Sequence, residues 1–233
     1  MWDNAPLLRG IANALFAFSA AAMLYGIAYY VTHLPGLFPL RSVRMDAVPQ
    51  QVDTRLVLQA LRVDVDGNFF TADLRKLRSS LESLPWVRNV SIRREFPDSL
   101  VVRFEEHQAL GRWNGSALVN NQGEVFTATT DRVLPSFSGQ DGTSAEVAQQ
   151  YMMFSQQLEP LNLKVTQLSL SPRHAWQMKL DNGLVLELGR EDMQQRLARF
   201  VEVYPYSLAA LHGNAKYVDL RYRNGFAAGG LTG

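Results

Sequence analysis

The stretch LRKLRSSLESLPWVRNVSIRREFPDSLVVRF, residues 74–104, contains two hydrophobic periods in succession. Its first part spaces leucines by three, four and three residues, which places them on one face of a helix. These leucines are Leu74, Leu77, Leu81 and Leu84. Pro85 favours an end to the helix because proline cannot donate the next main-chain hydrogen bond. We therefore expect a helix with Thr71 as its cap and the leucine stripe in a core.

After Trp86 the apolar residues of the same stretch alternate with polar ones. Val90 and Ile92 alternate with Ser91 and Arg93 before EFPD at residues 95–98. The alternation then resumes with Leu100, Val102 and Phe104. Two amphipathic runs around a Pro-Asp turn predict a β-hairpin.

Upstream of the helix, the sequence adds one more strand and one more helix. Val43, Met45 and Val48 predict a short strand, and residues 53–61 predict a helix capped by Asp53 or Thr54. The predicted order is β-α-α-β-β. We place this small α+β unit at residues 41–109.

The second half predicts a mixed α/β sheet domain at residues 110–226. Hairpins are expected around NNQG at residues 120–123 and around Asn182-Gly183, and a further strand at residues 165–170. TSAE at residues 143–146 has the pattern of a capping box at a helix start. A second helical face consists of Leu197, Phe200, Val201 and Tyr204.

The chain's last predicted strand lies at residues 216–222. Its alternation directs Val218 and Leu220 inward, and Asp219 and Arg221 to the opposite face. Residues 227–233 are rich in glycine, and we expect them to form a flexible tail.

The N-terminal part contains a long gap in charge between Arg9 and Arg41. Within the gap, IANALFAFSAAAMLYGIAYYV at residues 11–31 has the roughly 20 apolar residues that a helix needs to span a bilayer. Three tyrosines near its C-terminal end suit the headgroup region. We expect a short tail at residues 1–10, a transmembrane helix at 11–31 and a linker at 32–40.

A cleaved signal peptide is the alternative to this anchor. SAAA at residues 19–22 imitates a small-residue cleavage site, but the apolar run continues well beyond it. The few charges flanking the segment do not fix its orientation, since long domains translocate largely regardless of them.

The composition limits the chemistry of the chain. The 233 residues carry a net charge of +1, which gives no electrostatic argument for nucleic-acid binding. The chain has no cysteine, which excludes disulfides and thiolate sites. Glu105 and Glu106 are neighbours on a strand and point to opposite faces. No histidine pair has ligand spacing and no nucleophile is paired with a base, so we expect no enzyme activity, cofactor or metal.

Residues 68–113 resemble the POTRA domain of FtsQ-type bacterial cell-division proteins. The most specific matches are LPWV at residues 84–87 and FPDSL at 96–100, followed by Glu106 and Trp113. Matches continue in the same order at LV (118–119), GEVF (123–126), Trp176, LGR (188–190), RLARF (196–200) and YVDLRY (217–222). The resemblance covers nearly the whole chain, including the anchor.

This resemblance implies a bitopic inner-membrane component of the divisome at the midcell septum. The N-terminus would be cytoplasmic and the globular part periplasmic. The protein would recruit and link division proteins without catalysing a reaction. Its chief partner would be the FtsB–FtsL coiled-coil pair, and the POTRA unit and anchor would contact other divisome members.

The resemblance also implies where the main partner binds. In the family, the FtsB tail adds a strand beside the last strand of the C-terminal β domain, which is β-augmentation. We therefore expect residues 216–222 to be an edge strand and the main docking site. The implied partner-binding residues are Arg173, Tyr217, Arg221, Tyr222, Asn224, Gly225 and Phe226. Asn224 and Phe226 are larger than the residues usual at those positions.

A second class of function remains open at the level of sequence. POTRA units also occur in polypeptide-transport and outer-membrane assembly components, which would bind unfolded chains. That alternative predicts repeated POTRA units or a β-barrel. Only one POTRA-like unit is readable in the sequence, and the second half contains two strong helices.

Overall fold

The computed structural model describes residues 5–34, 36–64, 67–207, 215–222 and 225–230. The chain divides into two compact units, Met1–Glu106 and His107–Gly233. The first unit contains a three-stranded sheet and the second a nine-stranded sheet, each accompanied by helices. The α+β class expected from the sequence is confirmed.

The first element is a long apolar helix, α1 (Ala5–His33). It is longer than the predicted residues 11–31 and takes in parts of the expected tail and linker. Pro6 lies in its first turn, where proline is tolerated, and the helix ends shortly before Pro35, which disfavours helix in the preceding residue. None of its residues is buried in protein, although the helix is long and apolar enough to cross a membrane. A helix that is apolar all round belongs in an apolar environment.

The first unit has the predicted order β-α-α-β-β. Its elements are β1 (Ser42–Met45), α2 (Thr54–Asp64), α3 (Leu74–Glu82), β2 (Val87–Glu95) and β3 (Ser99–Glu106). β3 lies in the middle of the sheet, parallel to β1 and antiparallel to β2. The second strand of the predicted hairpin is therefore the centre of this sheet, and its first strand lies at one side.

The two central leucines of the predicted stripe are core, as predicted, whereas Leu74 and Leu84 are half-buried. Leu77 and Leu81 are 1% and 0% exposed. The predicted cap at Thr71 is wrong, because the Asp73 carboxylate accepts the N–H groups of Arg75 and Lys76 at 3.0 and 3.1 Å. Thr71 instead accepts the N–H of Asn68 in the preceding turn at 2.9 Å.

The described residues of the second unit form nine strands and two α-helices. They are β4 (Ala109–Trp113), β5 (Ala117–Asn120), β6 (Val125–Phe126), β7 (Ser136–Ser138), α4 (Ser144–Leu158), β8 (Val165–Leu170), β9 (Trp176–Leu180), β10 (Val185–Gly189), α5 (Met193–Val203), β11 (Tyr217–Asp219) and β12 (Ala227–Gly229), with 3-10 turns at Glu159–Leu161 and Tyr204–Tyr206. The sheet order is β12-β11-β10-β9-β8-β7-β4-β5-β6. The predicted hairpins are confirmed, whereas β4, β7 and β12 were not predicted.

The core of the second unit lies between the sheet and its two helices. Phe154 of α4 and Phe200 of α5 are fully buried, together with Trp176 and Leu186 of the sheet. The predicted capping box at residues 143–146 is wrong. The Thr143 hydroxyl makes no cap bond and donates to the carbonyl of Gln140 at 2.7 Å.

The C-terminal end of the sheet differs from the prediction. β11 covers only Tyr217–Asp219, and it is not an edge strand, because β12 pairs with it in antiparallel register. Part of the expected flexible tail is therefore a strand. Phe226 and Ala228 pack against the core of this unit, which supplies the burial that the glycine-rich sequence did not suggest.

Candidate functional site

The edge of the large sheet at β12 is the candidate site. β11 runs parallel to β10, and the Leu220 N–H donates to the Glu187 carbonyl at 2.9 Å just beyond the ladder. On the other side of β11, β12 pairs Ala228 with Val218. Within the described residues, β12 is one of the two outer strands of this sheet, with β6 at the opposite end, so it has a neighbour on one side only. Its outer side therefore presents main-chain hydrogen-bonding groups to a further strand.

A tyrosine and a glycine hold β12 in place. Tyr217 and Gly229 are cross-strand partners, and the Lys216 N–H donates to the Gly229 carbonyl at 3.0 Å. A Cβ atom at Gly229 would lie only 2.3 Å from Cζ of Tyr217. The ring thus lies across the glycine, and half of the tyrosine remains exposed, 48%.

The alternation predicted for β11 is confirmed on its inner face. Val218 and Leu220 are 0% and 2% exposed. On the opposite face, the Arg221 guanidinium donates to both carboxylate oxygens of Asp219, from Nε at 2.9 Å and from Nη2 at 2.6 Å. The main-chain N–H of Arg221 donates to the same carboxylate at 3.0 Å.

This pair of side-chain hydrogen bonds, which we call the Arg221–Asp219 fork, shifts the pKa of both residues. The hydrogen bond from the Arg221 side chain lowers the pKa of Asp219 from its ordinary value of 3.8, against the opposing effect of burial. The same carboxylate raises the pKa of Arg221. The Arg221 side chain is still 62% exposed, and a guanidinium has five donors. Arg221 is thus fixed in position yet retains donors for a second acceptor.

Arg173 lies at the same end of the sheet as Arg221. It is exposed in the turn between β8 and β9, which the Ser171 N–H closes by donating to the Ala175 carbonyl at 2.9 Å. Register pairs Leu170 with Trp176 and Trp176 with Gly189, so this turn and the end of β11 share one side. β11 is two strands from β9 and three from β8, so at about 4.8 Å per strand the turn and the end of β11 lie roughly 10–15 Å apart.

The remaining predicted site residues have different environments. Tyr222 is 58% exposed, and its carbonyl is 3.5 Å from Nη2 of Arg199. Gly225 is exposed, whereas Phe226 is partly buried against the core, so its ring serves the fold. Asn224 lies outside the described residues.

Sequence reasoning missed three residues that shape this edge. Asp219 orients Arg221, and the signal was available, because residues two apart on a strand share a face. Gly229 admits the Tyr217 ring, which only the register reveals. Arg196 of α5 donates from Nη1 to the Leu188 carbonyl at 2.7 Å, which fixes the end of β10.

Carboxylates of the first unit have structural partners. Glu106 accepts the N–H groups of Gln50, Gln51 and Val52 at 2.8–3.0 Å. Glu105 pairs with Arg88. Within the part of the chain that the structure describes, no cluster of three or more potential metal ligands was found.

Comparison with known families decides what this architecture belongs to. Residues 111–221 match the family described as cell division protein FtsQ/DivIB, C-terminal. Residues 38–107 match the POTRA domain of FtsQ type. A cell division protein FtsQ from Nitrosospira multiformis is 41% identical over 99% of this chain and 99% of its own length. The chain belongs to the FtsQ family of cell-division proteins.

Other FtsQ proteins show similar likeness. The FtsQ of Burkholderia pseudomallei is 38% identical over 97% of this chain and 93% of its own length. That of Shewanella oneidensis is 42% identical over 76% of this chain and 67% of its own length. Membership supports a role in the divisome with protein partners, and one apolar N-terminal helix fits a membrane-associated septal protein. Both family matches are of FtsQ type, which favours this role over the polypeptide-transport alternative.

Proposed function

We propose that this FtsQ-family chain is a bitopic inner-membrane scaffold of the divisome that recruits and links division proteins and has no catalytic role. α1 is its anchor, with the N-terminus in the cytoplasm and the two folded units in the periplasm. The FtsB–FtsL pair binds by adding a strand outside β12, not outside β11 as the sequence suggested. The observation that carries this proposal is that β12, an outer strand of small residues, pairs with β11, at whose end the exposed Arg221 lies.

The chemistry of the edge supports strand addition. β12 consists of Ala227, Ala228 and Gly229, whose small side chains let another backbone approach closely. The main-chain groups of β12 would supply affinity, and side chains near the C-terminal end of β11 would supply specificity. Tyr222 offers a large ring with a polar tip, and Arg173 and Arg221 offer charge to acidic partner residues. The fork from Asp219 holds Arg221 in place before binding, which reduces the entropy lost on association.

Proline substitutions in β12 test the mode of binding. Successive N–H groups of a strand point to opposite edges. One of the variants Ala227→Pro and Ala228→Pro therefore removes an N–H that donates to β11, and the other removes an N–H that points outward. The full chain in nanodiscs would be titrated calorimetrically with the purified FtsB–FtsL pair. We expect the outward-facing variant to keep its circular dichroism spectrum and lose binding. Wild-type affinity in both folded variants would contradict strand addition at β12.

Charge reversal tests the contribution of Arg173 and Arg221, the two arginines at this end of the sheet. Arg173→Glu should weaken binding without disturbing the fold, because Arg173 is exposed in a turn. Arg221→Glu should weaken it as well, but it also breaks the fork with Asp219. Partial recovery by a Glu→Arg change in the partner would identify the contact. Unchanged affinity for Arg173→Glu would remove that residue from the site.

Reporter fusions test the proposed topology. Alkaline phosphatase fused after Gly233 should be active, and a fluorescent protein that matures only in the cytoplasm should be dark at the same position. The opposite pair of results would place the folded units in the cytoplasm. Midcell localisation of a fluorescent fusion would test the septal role independently.

A further inference from the structure

The end of α1 is tied directly to the POTRA domain by an asparagine side chain. Nδ2 of Asn68 donates to the carbonyl of Thr32 at 2.7 Å and lies 3.5 Å from that of Leu34. The Asn68 Oδ1 accepts the N–H groups of Phe70 and Thr71 at 2.9 and 3.0 Å. Asn68 is only 6% exposed. The turn that follows α2 therefore lies against the C-terminal end of α1.

Loops at this same end expose four large apolar side chains, which we call the aromatic rim. They are Leu37, Phe38, Phe70 and Phe96, with exposed fractions of 42%, 37%, 44% and 73%. The buried ring of Phe69 joins them. Edge-to-face contacts run from Phe38 to Phe70 at 5.2 Å, from Phe70 to Phe69 at 5.1 Å and from Phe69 to Phe96 at 6.0 Å. The three exposed rings of the rim are thus linked through Phe69, and Leu37 directly precedes Phe38 in the chain.

Geometry places the rim at the level of the lipid headgroups. Residues 11–31 of α1 extend over about 31 Å, which matches a hydrocarbon core of roughly 30 Å. Thr32 then lies at the boundary of that core, beside the exposed rings of Tyr29 and Tyr30. Because Asn68 binds the Thr32 carbonyl, the rim begins where the core ends. Aromatic rings are enriched at this level of a bilayer.

The rim is held in a fixed shape and has a positive neighbour. Arg94 of β2 donates from Nε to the Phe69 carbonyl at 2.6 Å and from Nη2 to the Ala72 carbonyl at 2.8 Å. Arg41 is exposed, and its main-chain N–H donates to the Asp98 carbonyl at 2.9 Å, which holds its backbone beside the turn of Phe96. A cation next to exposed rings suits a surface with anionic headgroups.

We propose that the aromatic rim is a second membrane contact, which inserts into the interface of the leaflet at the C-terminal end of α1 and fixes the tilt of the POTRA domain. The occupant is lipid because the rim is continuous with a helix whose whole surface requires lipid. This inference rests on α1 spanning a bilayer, which is part of the proposed function.

Site-directed spin labelling of the full chain in nanodiscs tests the rim, since the chain has no native cysteine. Single variants Leu37→Cys, Phe70→Cys and Phe96→Cys would carry a nitroxide in bilayers of phosphatidylethanolamine and phosphatidylglycerol. The matched control is Ser83→Cys, exposed just past the end of α3. Ser83 lies shortly before β2, and β2 extends over roughly 25 Å at about 3.3 Å per residue before it reaches the turn of Phe96. Circular dichroism would confirm that each labelled chain is folded.

The readout is the ratio of collision rates with oxygen, which enters lipid, and with a water-soluble nickel complex. We expect a several-fold higher ratio at the three rim positions than at Ser83. Equal ratios at Leu37, Phe96 and Ser83 would overturn the inference, whatever happens at Phe70. An Ala21→Cys label at the middle of α1 separates the two proposals. A water-exposed label at Ala21 would refute the anchor itself, whereas a lipid-exposed one with water-exposed rim labels would refute the rim alone.

Discussion

The two units of this protein leave different kinds of surface unsatisfied. The first is set apart by the exposed apolar side chains of α1 and the aromatic rim, and the second by β12, an outer strand of small residues whose main-chain groups are open to a partner. Apolar surface is satisfied by any apolar medium, because the hydrophobic effect has no direction. Main-chain groups at a sheet edge need a partner in strand geometry. Under the two proposals above, the first unit contacts lipid and the second unit binds a protein strand.

The contrast between the two units holds only when the leucine stripe of the POTRA unit is core and not part of its exposed surface. Leu81→Ala should destabilise this unit by about 2–5 kcal/mol, through lost burial and the cavity left behind. Leu58→Ala is the matched control, because Leu58 of α2 is 47% exposed and should change stability by no more than about 0.5 kcal/mol. Calorimetric melting of the full chain measures both. Equal losses of stability in Leu81→Ala and Leu58→Ala would show that the stripe lies on the surface.

The second prediction concerns side chains at the proposed docking edge. Tyr222→Ala should cost about 2 kcal/mol or more in binding to the FtsB–FtsL pair while leaving the fold intact, since large rings dominate interfaces. Tyr206→Ala is the control, because Tyr206 is 87% exposed and lies in the turn after α5. Calorimetric titration measures both affinities. Losses of equal size would show that the edge has no special role.

Sequence reasoning succeeded where a local pattern decides the structure. The leucine stripe of α3 and the alternation around the Phe96 turn predict the POTRA elements, because each unit of structure is encoded within a few residues. The inward direction of Val218 and Leu220 follows from the same rule. The caps at Thr71 and Thr143 were wrong because each hydroxyl bonds to the preceding turn instead, Thr71 to the Asn68 N–H and Thr143 to the Gln140 carbonyl, and pattern alone does not choose between these bonds.

Sequence reasoning failed where distant residues decide the structure. β12 has too little apolar pattern to predict a strand, and its glycine suggested a loss of order. It forms because Phe226 and Ala228 reach the core and because Tyr217 fits over Gly229. By contrast, the pairing of Asp219 with Arg221 could have been predicted from their spacing of two residues. The hydrogen bond from Asn68 to the end of α1 joins residues that are 36 apart in sequence, and no local pattern signals it.

Steric change at β12 sharpens the comparison, because it tests the edge without adding charge. Gly229→Ala should destabilise the second unit by about 1–3 kcal/mol, since the new methyl group collides with the Tyr217 ring. Gly225→Ala is the matched control, because a Cβ there has no atom within 4 Å. The double variant Tyr217→Ala/Gly229→Ala should recover part of the loss. Thermal melting measures all three, and a neutral Gly229→Ala would mean that the ring does not hold β12.

The smallest expected effect contrasts two carboxylates, one in each unit, at low pH. Asp73 accepts main-chain amides at the start of α3, whereas Asp219 is held chiefly by the Arg221 side chain, and the pKa of each is lowered from 3.8. A lowered pKa in the folded state stabilises the protein above the ordinary pKa, and this contribution disappears as the pH falls through the lower, folded value. Wild-type protein and Asp219→Asn should therefore differ by a constant amount from pH 7 to about pH 5, and the difference should shrink below about pH 4. Asp73→Asn should show a smaller difference at neutral pH, because asparagine caps a helix about as well as aspartate. Urea unfolding between pH 3 and pH 7 measures both, and a pH-independent difference for Asp219→Asn would show that the Arg221 fork does not stabilise the charged form.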